Sequence, residues 1–372
     1  MTYEELLEEM KNQKVEMTPE ERMTKYMCGE EVDFIPYMLV GPDTTAGLYG
    51  YTLKQEREDD EVHFDIVKKL NEEFGIKPLG IGVYLKGIGE AVGSKMCYPE
   101  NSLDYVQEHF LKDYTQLKEI EVINPYKCPN LKHALDRFEK EIKRFPDWVG
   151  GNGIAGPMST AVAIRSAECL LRDMVKNPEG IGNLLKYCVE CNLAWINAVT
   201  EQFGPMSVGI SEPMGSMSIL SRKQFLRFEK PYLKQLVDGI VQITGMMPTI
   251  HICGKTKAIW SELLDLGFDF LSVDNCEDLE EVKNAVGDKM LIAGNVPPVD
   301  VLRNGSIDDV ITSVISCLKK GADSPKGYIL AAGCQIPPGV PRENLYAYIY
   351  AAREYGQGAR KGKLPRGLER VL

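Results

Sequence analysis

Short apolar segments alternate with amphipathic segments along most of the chain, and this alternation restricts the fold more than any other feature. From residue 206 to residue 332, five apolar runs are each followed by a helical pattern, and Gly267 and Gly287 stand where two of these patterns stop. Three further apolar runs come earlier, over residues 34–40, 79–85 and 148–153. Apolar strands that alternate with amphipathic helices are typical of a parallel sheet. Eight such units predict an α/β fold, a closed (β/α)8 TIM barrel, which we favour over an open doubly wound sheet.

The chain is long enough to bury a large core, and no linker rich in Pro, Gly or Ser divides it. We therefore predict a single TIM-barrel domain over residues 1–372, in which residues 1–30 form a helical N-terminal extension. Residues 51–60 are expected to form an elaborated loop. The basic residues near the C terminus are expected to form a solvated terminus rather than a docking patch; they are Arg360, Lys361, Lys363, Arg366 and Arg370.

Charge and composition argue against several classes of function. A net charge of −11 disfavours nucleic acid as a partner, since binding to phosphates needs a basic surface. No apolar run reaches the length of about 18 residues that a membrane span needs. The acidic start of the chain lacks the apolar segment of a signal peptide, so we predict a cytoplasmic protein. The ten cysteines should then be reduced and mostly buried, including Cys188 and Cys191 within a helical pattern.

A histidine and two cysteines follow apolar runs and have the chemistry of zinc ligands. His251 and Cys253 lie two positions apart at the end of one run, so a strand would direct both side chains to the same face. Cys334 follows the last run, and the carboxyl ends of barrel strands meet at one face. One imidazole and two thiolates are typical of a catalytic zinc site with an open position. A chance proximity of a core cysteine and a buried histidine is the alternative. We expect the other three histidines, His63, His109 and His133, at the surface.

Polar residues also follow other predicted strands. Glu212 is interpreted as a catalytic residue that is either a fourth zinc ligand or a direct substrate contact. The alternative is a carboxylate at the N-terminus of a helix, because Pro213 follows it. Asp274 and Asn275 are candidate substrate-binding residues that could instead cap a helix starting near Asp278. Asn295 is a further candidate, with a turn position as the alternative.

A glycine-rich segment over residues 150–157 lacks the spacing of a phosphate-binding loop. We interpret it as a loop at a strand end where a flat ligand can approach the backbone closely. Gly156 and Met158 are therefore added to the candidate substrate-binding residues.

These motifs together resemble the uroporphyrinogen decarboxylase superfamily, specifically its zinc- and corrinoid-dependent methyltransferase branch. The resemblance covers nearly the whole chain. The matching segments are residues 19–36, Gly156-Pro157, His251-Ile-Cys-Gly254, Gly294-Asn-Val296, and Gly333-Cys334 followed by Glu343-Asn344. The His-x-Cys…Cys set is specific to the branch, and the other motifs mark the superfamily. The decarboxylase itself is disfavoured, because residues 38–45 carry none of the arginines that clamp its substrate.

The resemblance implies Zn²⁺ as a cofactor and a partner protein that carries a corrinoid (cobalamin). Two reactions fit this branch. In the first, a methoxylated, mainly aromatic substrate gives its methyl group to the Co(I) corrinoid, as in the O-demethylase systems of anaerobes. In the second, a thiol such as coenzyme M accepts the methyl group of a methylated corrinoid. Residues 251–256, 271–275 and 326–334 look most like the O-demethylase enzymes, so we expect the first reaction. A corrinoid- or tetrapyrrole-binding barrel with a structural zinc is a third possibility.

Overall fold

Eleven strands and sixteen α-helices are present in the computed structural model, which describes residues 1–39 and 42–371. The strands are β1 Val32–Phe34, β2 Gly80–Tyr84, β3 Lys95–Cys97, β4 Tyr105–Glu108, β5 Gly151–Ala155, β6 Ser207–Ser211, β7 Thr249–Ile252, β8 Phe270–Val273, β9 Leu291–Val296, β10 Tyr328–Ala332 and β11 Gln357–Ala359. Strands β2, β5, β6, β7, β8, β9 and β10 form a seven-stranded sheet in that order, which is the order of the chain. The predicted α/β class, with parallel strands alternating with helices, is confirmed.

The helices follow most strands of the sheet, as the alternation predicts. They are α1 Tyr3–Asn12, α2 Pro19–Met27, α3 Pro42–Thr45, α4 Leu53–Glu58, α5 Asp60–Phe74, α6 Gly87–Val92, α7 Pro129–Arg144, α8 Pro157–Ile164, α9 Ala167–Lys176, α10 Pro178–Phe203, α11 Arg222–Gln224, α12 Lys230–Thr244, α13 Trp260–Asp265, α14 Leu279–Val286, α15 Ile307–Gly321 and α16 Arg342–Tyr355. A π-helical turn, Phe225–Glu229, precedes α12. The described part of the chain contains no helix long and apolar enough to cross a membrane.

The register of the parallel strands brings their carboxyl ends to the same edge of the sheet. Ala155 at the end of β5 pairs with Ser211 of β6, and Ser211 pairs with His251 of β7. Ala332 at the end of β10 pairs with Val296 of β9. The residues that follow these strands therefore lie where (β/α) enzymes carry their reactive groups.

The prediction of a first strand over residues 34–40 is wrong in its extent. Strand β1 ends at Phe34 and pairs antiparallel with β11 instead of joining the sheet. Tyr37 forms a single parallel bridge with Leu330 of β10, so a short extended segment takes the place of the first strand. Pro36, which has no amide hydrogen, interrupts the run between these two pairings. Val40 lies outside the described residues.

Other boundaries also differ from the prediction. Strand β9 continues to Val296, so Asn295 lies within the strand rather than after it. Residues 51–60 do not form a loop, because Thr52 caps helix α4 with a reciprocal pair of hydrogen bonds to Gln55. His63 was expected at the surface, but it is buried, with its Nδ1 atom 2.8 Å from Glu56 Oε1 of α4.

The chain forms two compact units, and the first comprises Met1–Pro78, Cys253–Leu264 and Asp269–Leu372. The predicted N-terminal extension is present here as α1 and α2, and α1 packs on α16. The basic C-terminal segment is exposed to solvent, as predicted, with only Lys361 half-buried, and it is also tied to the fold. Its Arg360 donates from Nε to the Gly29 carbonyl at 2.7 Å, and Arg366 pairs with Glu31 at 2.7 Å.

The second unit comprises Leu79–Ile252 and Asp265–Phe268. Its core is built around the 26-residue helix α10, which packs on α8 and α12. Cys188 and Cys191 are buried in this helix, as predicted, but the prediction that most of the ten cysteines are buried is wrong, because only these two and Cys317 are. Trp195 of α10 donates its Nε1 hydrogen to Asn152 Oδ1 of β5 at 3.0 Å, which fixes the helix against the strand that leads to Gly156. The prediction of one domain over the whole chain stays a prediction.

Candidate active site

Three predicted zinc ligands come together at strand ends. The ligand atoms of His251, Cys253 and Cys334 all lie within 4.8 Å of one another. His251 belongs to β7, Cys253 follows the last residue of that strand, and Cys334 follows β10 after one glycine. The two Sγ atoms are 3.4 Å apart. The structure therefore brings together the histidine and the two cysteines that the sequence singles out.

Two glycines beside the cysteines shape these strand ends. Gly254 has a φ of +77°, a left-handed conformation that turns the chain sharply after Cys253. A Cβ atom at Gly333 would lie 2.4 Å from the backbone nitrogen of Asn275. Glycine is therefore needed before Cys334, because any side chain would push the two loops apart.

The spacing of the donors fits a zinc ion with an open position. None of the ten cysteines, all of which lie in the described residues, forms a disulfide, which would need two sulfur atoms about 2.05 Å apart. Two thiolates bound tetrahedrally at about 2.3 Å would lie roughly 3.8 Å apart, close to the separation observed. One nitrogen and two sulfur donors leave the fourth position of a tetrahedral zinc for another group.

The surroundings of the Cys253 thiol oppose its ionisation in the absence of a cation. A hydrogen bond with the Cys334 thiol, burial, and the nearby Cys334 and Asp274 charges raise the pKa of Cys253 well above the ordinary value. Two adjacent thiolates repel each other, so a divalent cation would stabilise the doubly ionised form strongly.

Asp274 and Asn295 hold the loops around the cysteines. Asp274 accepts hydrogen bonds from the backbone amides of Gly254 and Cys276, both at 2.8 Å. The Asn295 side chain donates to the carbonyl oxygens of Asp274 at 3.0 Å and Glu277 at 2.8 Å. Both side chains therefore support the loops that follow β7 and β8. The predicted substrate contacts of Asp274, Asn275 and Asn295 stay predictions.

Glu212 is completely buried at the end of β6, next to the strand that carries His251. Its backbone amide donates to the His251 carbonyl at 2.8 Å. Its Oε1 atom accepts two hydrogen bonds from Ser159, from the backbone amide at 3.0 Å and from the hydroxyl at 2.5 Å. Glu212 is not in the group of three that lies within 4.8 Å among the described residues, so its assignment as a zinc ligand stays a prediction.

Gly156 and Met158 surround this carboxyl group. A Cβ atom at Gly156 would lie 2.0 Å from Glu212 Oε2, so the missing side chain leaves the space that the carboxyl group fills. Met158 is fully buried in α8, directly before Ser159, whose amide and hydroxyl donate to the Glu212 carboxyl. The structure thus places both residues around Glu212, and their predicted contact with a substrate stays a prediction.

Residues 18–355 match the family model described as uroporphyrinogen decarboxylase (URO-D). The chain belongs to this family. The predicted resemblance to the superfamily is therefore confirmed.

Similar proteins of this family include methyltransferases. The methylcobamide:CoM methyltransferase MtaA of Methanosarcina barkeri is 30% identical over 204 residues, which are 55% of this chain and 57% of the relative. The match thus spans little more than half of that relative's length. A methylated-thiol–coenzyme M methyltransferase of Methanosarcina mazei is 22% identical over 91% of this chain and 90% of the relative. A solved methyltransferase structure from Methanosarcina mazei has a TM-score of 0.75 at 22% identity, over 91% of this chain and 99% of that chain, and it shows that the fold is shared.

Glu229 is a site residue that the sequence interpretation missed. It ends the π-helical turn before α12 and is completely buried. Neither of its carboxylate oxygens, nor Glu212 Oε2, has a hydrogen-bond donor among the described residues. Burial and the Glu212 charge raise the pKa of Glu229 well above the ordinary value, and burial raises the pKa of Glu212 to about 7. A protonated Glu229 can donate to Glu212, which gives this pair a hydrogen bond that two carboxylates would lack.

A signal for Glu229 is present in the sequence. Phe225, Glu229, Leu233 and Leu236 recur at helical spacing, so a carboxyl group occupies a position on the apolar stripe. Charged side chains are rarely buried without a partner. The position of Glu229 on this stripe therefore predicts a buried acid. The sequence does not show which residue Glu229 contacts.

Glu277 is a second residue that was missed. It is buried, and its Oε1 atom accepts hydrogen bonds from the backbone amides of Thr256 and of Lys257, the latter at 2.9 Å. It therefore fastens the segment after Cys253 to the loop after β8. Because Glu277 lies in a loop with no periodic pattern, no sequence signal identifies it.

Proposed function

We propose that this protein is a zinc-dependent methyltransferase that transfers a methyl group from a methylated corrinoid, carried by a partner protein, to a thiol. The observation that carries the proposal is the group formed by His251, Cys253 and Cys334, with its ligand atoms within 4.8 Å at strand ends. Relatives that share the family are named for methylcobamide and coenzyme M, which supports a corrinoid and a thiol as the two substrates. These names favour thiol methylation over the O-demethylase reaction expected from the sequence.

The donor set defines the chemistry that the metal would contribute. Zinc held by one imidazole and two thiolates would act as a Lewis acid and lower the pKa of a thiol in its fourth position. His251, Cys253 and Cys334 would hold the ion, and Asp274 would keep Cys253 in place through the Gly254 amide.

The transfer balances without a further reactant. The sulfur of the substrate thiolate forms a bond with the methyl carbon, and the cobalt–carbon bond breaks with both electrons going to cobalt. Methyl-Co(III) thereby becomes Co(I), and the thiolate becomes a thioether. We propose that Glu212, whose Oε2 atom has no donor among the described residues, borders the open position and receives the proton that the thiol loses.

The test is an anaerobic assay with zinc-loaded protein and free methylcobalamin. Addition of coenzyme M is expected to convert methyl-Co(III) into Co(I), which absorbance spectra follow directly. Cys334→Ala should lose bound zinc and at least 99% of the rate, about 2.7 kcal/mol or more of barrier. Cys28→Ala is the control, because Cys28 is an exposed thiol at the end of α2.

Two results of this assay would overturn the proposal. The first is methyl transfer by Cys334→Ala at the wild-type rate after zinc is lost. The second is formation of methyl-Co(III) from a Co(I) corrinoid and methoxylated aromatics, with no methyl transfer to any thiol, which would restore the O-demethylase reaction.

A further inference from the structure

Tyr84 combines an unusual backbone conformation with an exposed aromatic ring at the edge of the sheet where the site lies. It is the last residue of β2, and its φ of +46° is the one positive value for a non-glycine residue in the described part of the chain. Positive φ is a genuine outlier for a bulky side chain. The side chain is 69% exposed, so packing in a core does not account for this conformation.

The surrounding structure holds Tyr84 in this conformation. Gly82 pairs with Gly153 and Tyr84 pairs with Ile154, so Val83 is an extra residue that forms a bulge in β2. A Cβ atom at Gly87 would lie 2.9 Å from the Cβ of Val83, which shows how tightly the chain turns into α6. Such strained positions cluster at functional sites when neighbouring contacts fix them.

The turn after Tyr84 is anchored on both sides. Lys86 donates from Nζ to the Asp104 carbonyl at 2.7 Å, and the Asn130 side chain donates to the Gly87 carbonyl at 2.8 Å. These two hydrogen bonds tie the turn that follows Tyr84 to the neighbouring segments. A rigid ring loses little conformational entropy when a ligand covers it.

The position of Tyr84 indicates the size of the ligand. Strands β5 and β6 lie between β2 and β7, so Tyr84 and His251 stand three inter-strand spacings apart, roughly 14 Å along the sheet. A small thiol at the zinc position cannot reach that far. A corrin macrocycle with its amide side chains is broad, largely apolar and flat, and it has to approach the site from the solvent side.

We propose that Tyr84 is a binding residue for the corrinoid, with its aromatic ring packed against the rim of the macrocycle. The inference rests on the proposed function for the identity of the ligand. The inference assigns a corrinoid contact to β2, the outermost strand of the sheet, which carries none of the three predicted zinc ligands. Tyr84 is therefore expected to affect the corrinoid and not the thiol.

The test uses free methylcobalamin with zinc-loaded full-length protein. Equilibrium binding of methylcobalamin, measured by ultrafiltration, is compared for the wild type, Tyr84→Ala, Tyr84→Phe and Tyr84→Gly. We expect Tyr84→Ala and Tyr84→Gly to weaken binding roughly tenfold, the order of loss when one aromatic ring is removed from a stacked planar ligand. Tyr84→Phe should retain most of the affinity. Val149→Ala is the control, since Val149 is 83% exposed before the start of β5, at the opposite edge of the sheet.

Kinetics provide the second measurement. In the methyl transfer assay, Tyr84→Ala should raise the KM for methylcobalamin and leave the KM for the thiol and the zinc content unchanged. Equal binding of methylcobalamin by wild type and Tyr84→Ala overturns the inference, as does no measurable binding by the wild type. Weaker binding of a corrinoid protein by Tyr84→Ala, with unchanged binding of free methylcobalamin, also overturns it, because Tyr84 would then contact the partner protein.

The two proposals can fail separately. If Tyr84→Ala weakens methylcobalamin binding but the wild type methylates no thiol, the corrinoid contact stands and the thiol reaction is wrong. If the thiol is methylated and the variant binds methylcobalamin normally, the proposed function stands and the inference is wrong. Tyr84→Gly removes the strain of the positive φ, so a Tm at or above that of the wild type would show that lost binding does not come from unfolding.

Discussion

Glu212 occupies the space that a side chain at Gly156 would fill, since a Cβ atom there would lie 2.0 Å from Glu212 Oε2 and 2.7 Å from its carboxyl carbon. The glycine and the acid come from neighbouring strands, β5 and β6, each directly after the last residue of the strand. The close contact explains why a fully buried carboxyl group can sit beside the strand of His251. It also makes the position of Glu212 sensitive to a single methyl group.

Gly156→Ala should therefore displace Glu212 and break its hydrogen bonds with Ser159. We expect a loss of about 1–3 kcal/mol in the free energy of unfolding and a strong loss of methyl transfer. Gly153→Ala is the matched control, because a Cβ atom on this glycine of the same strand meets nothing within 4 Å. Equal stability and activity of the two variants, measured by urea unfolding and the methyl transfer assay, would contradict the role given to Gly156.

The buried Glu212–Glu229 pair should make stability depend on pH. Burial raises the pKa of Glu212 to about 7, and that of Glu229 is also raised. The folded state then holds protons that the unfolded state releases, so the free energy of unfolding falls as pH rises from about 4.5 to 7. Glu229→Gln keeps a donor for Glu212 and removes one titrating group. It should flatten this decline and raise stability at pH 7 by about 1–3 kcal/mol.

Urea unfolding between pH 4.5 and 8 measures this effect. Glu190→Gln, an exposed position on α10, is the control that should follow the wild type. Glu229→Ala should destabilise the protein at every pH, because it leaves a cavity and takes the donor away from Glu212. A wild-type stability that rises with pH across this interval would show that the pair is not protonated in the folded protein.

Zinc binding should release protons and strengthen as pH rises. The hydrogen bond with Cys334 and burial keep the Cys253 thiol protonated in the metal-free protein, whereas zinc binds thiolates. Titration calorimetry in buffers of different ionisation enthalpy should give about two protons released per zinc near neutral pH. Cys253→Ala should release about one and bind zinc far more weakly. Release of no protons would mean that the cysteines are not the ligands.

Asp274→Ala should weaken zinc binding without removing a ligand. The carboxylate holds the Gly254 and Cys276 amides, so its loss should free the turn after Cys253 and lower zinc affinity by roughly 10–100-fold. Asp274→Asn keeps one acceptor oxygen and should lie between the wild type and the alanine variant. Competition with a zinc chelator measures the zinc affinity of each variant. Asp269→Asn is the control, because Asp269 is exposed and lies just before β8. If Asp274→Ala binds zinc as tightly as the wild type, Asp274 does not support the zinc site.

The parts of the site that follow from local patterns could be predicted from the sequence. His251, Cys253 and Cys334 each stand at the end of an apolar run, and strand periodicity together with the (β/α) order is sufficient to bring them to one edge. The Glu212–Glu229 pair depends on how the π-helical turn before α12 packs against α8, and no local sequence pattern shows that these two residues meet. The sequence places Asn295 after a strand, whereas strand β9 continues to Val296. The hydrogen bonds from the Asn295 side chain to two carbonyl groups of the loop after β8 therefore could not be predicted.

The pairing of β1 with β11 could not be predicted either, because it joins residues that are far apart in the sequence. Val32 meets Ala359, and no local pattern joins segments so far apart in the chain. This pairing keeps β1 out of the sheet, and the basic C-terminal segment lies against the turn between α2 and β1. The charge of the segment correctly predicts exposure to solvent, but it does not predict that the carbonyl and carboxylate groups of residues 27–31 bind these side chains.

X-ray absorption spectroscopy of the zinc-loaded protein, before and after addition of a thiol, tests the central claim most directly. We expect one zinc per chain with two sulfur ligands, from Cys253 and Cys334, and one imidazole from His251, with an oxygen ligand in the fourth position. Coenzyme M should replace that oxygen and bring the number of sulfur ligands to three. A site that already has four protein ligands and stays unchanged when the thiol is added would contradict the account, because its zinc would be structural.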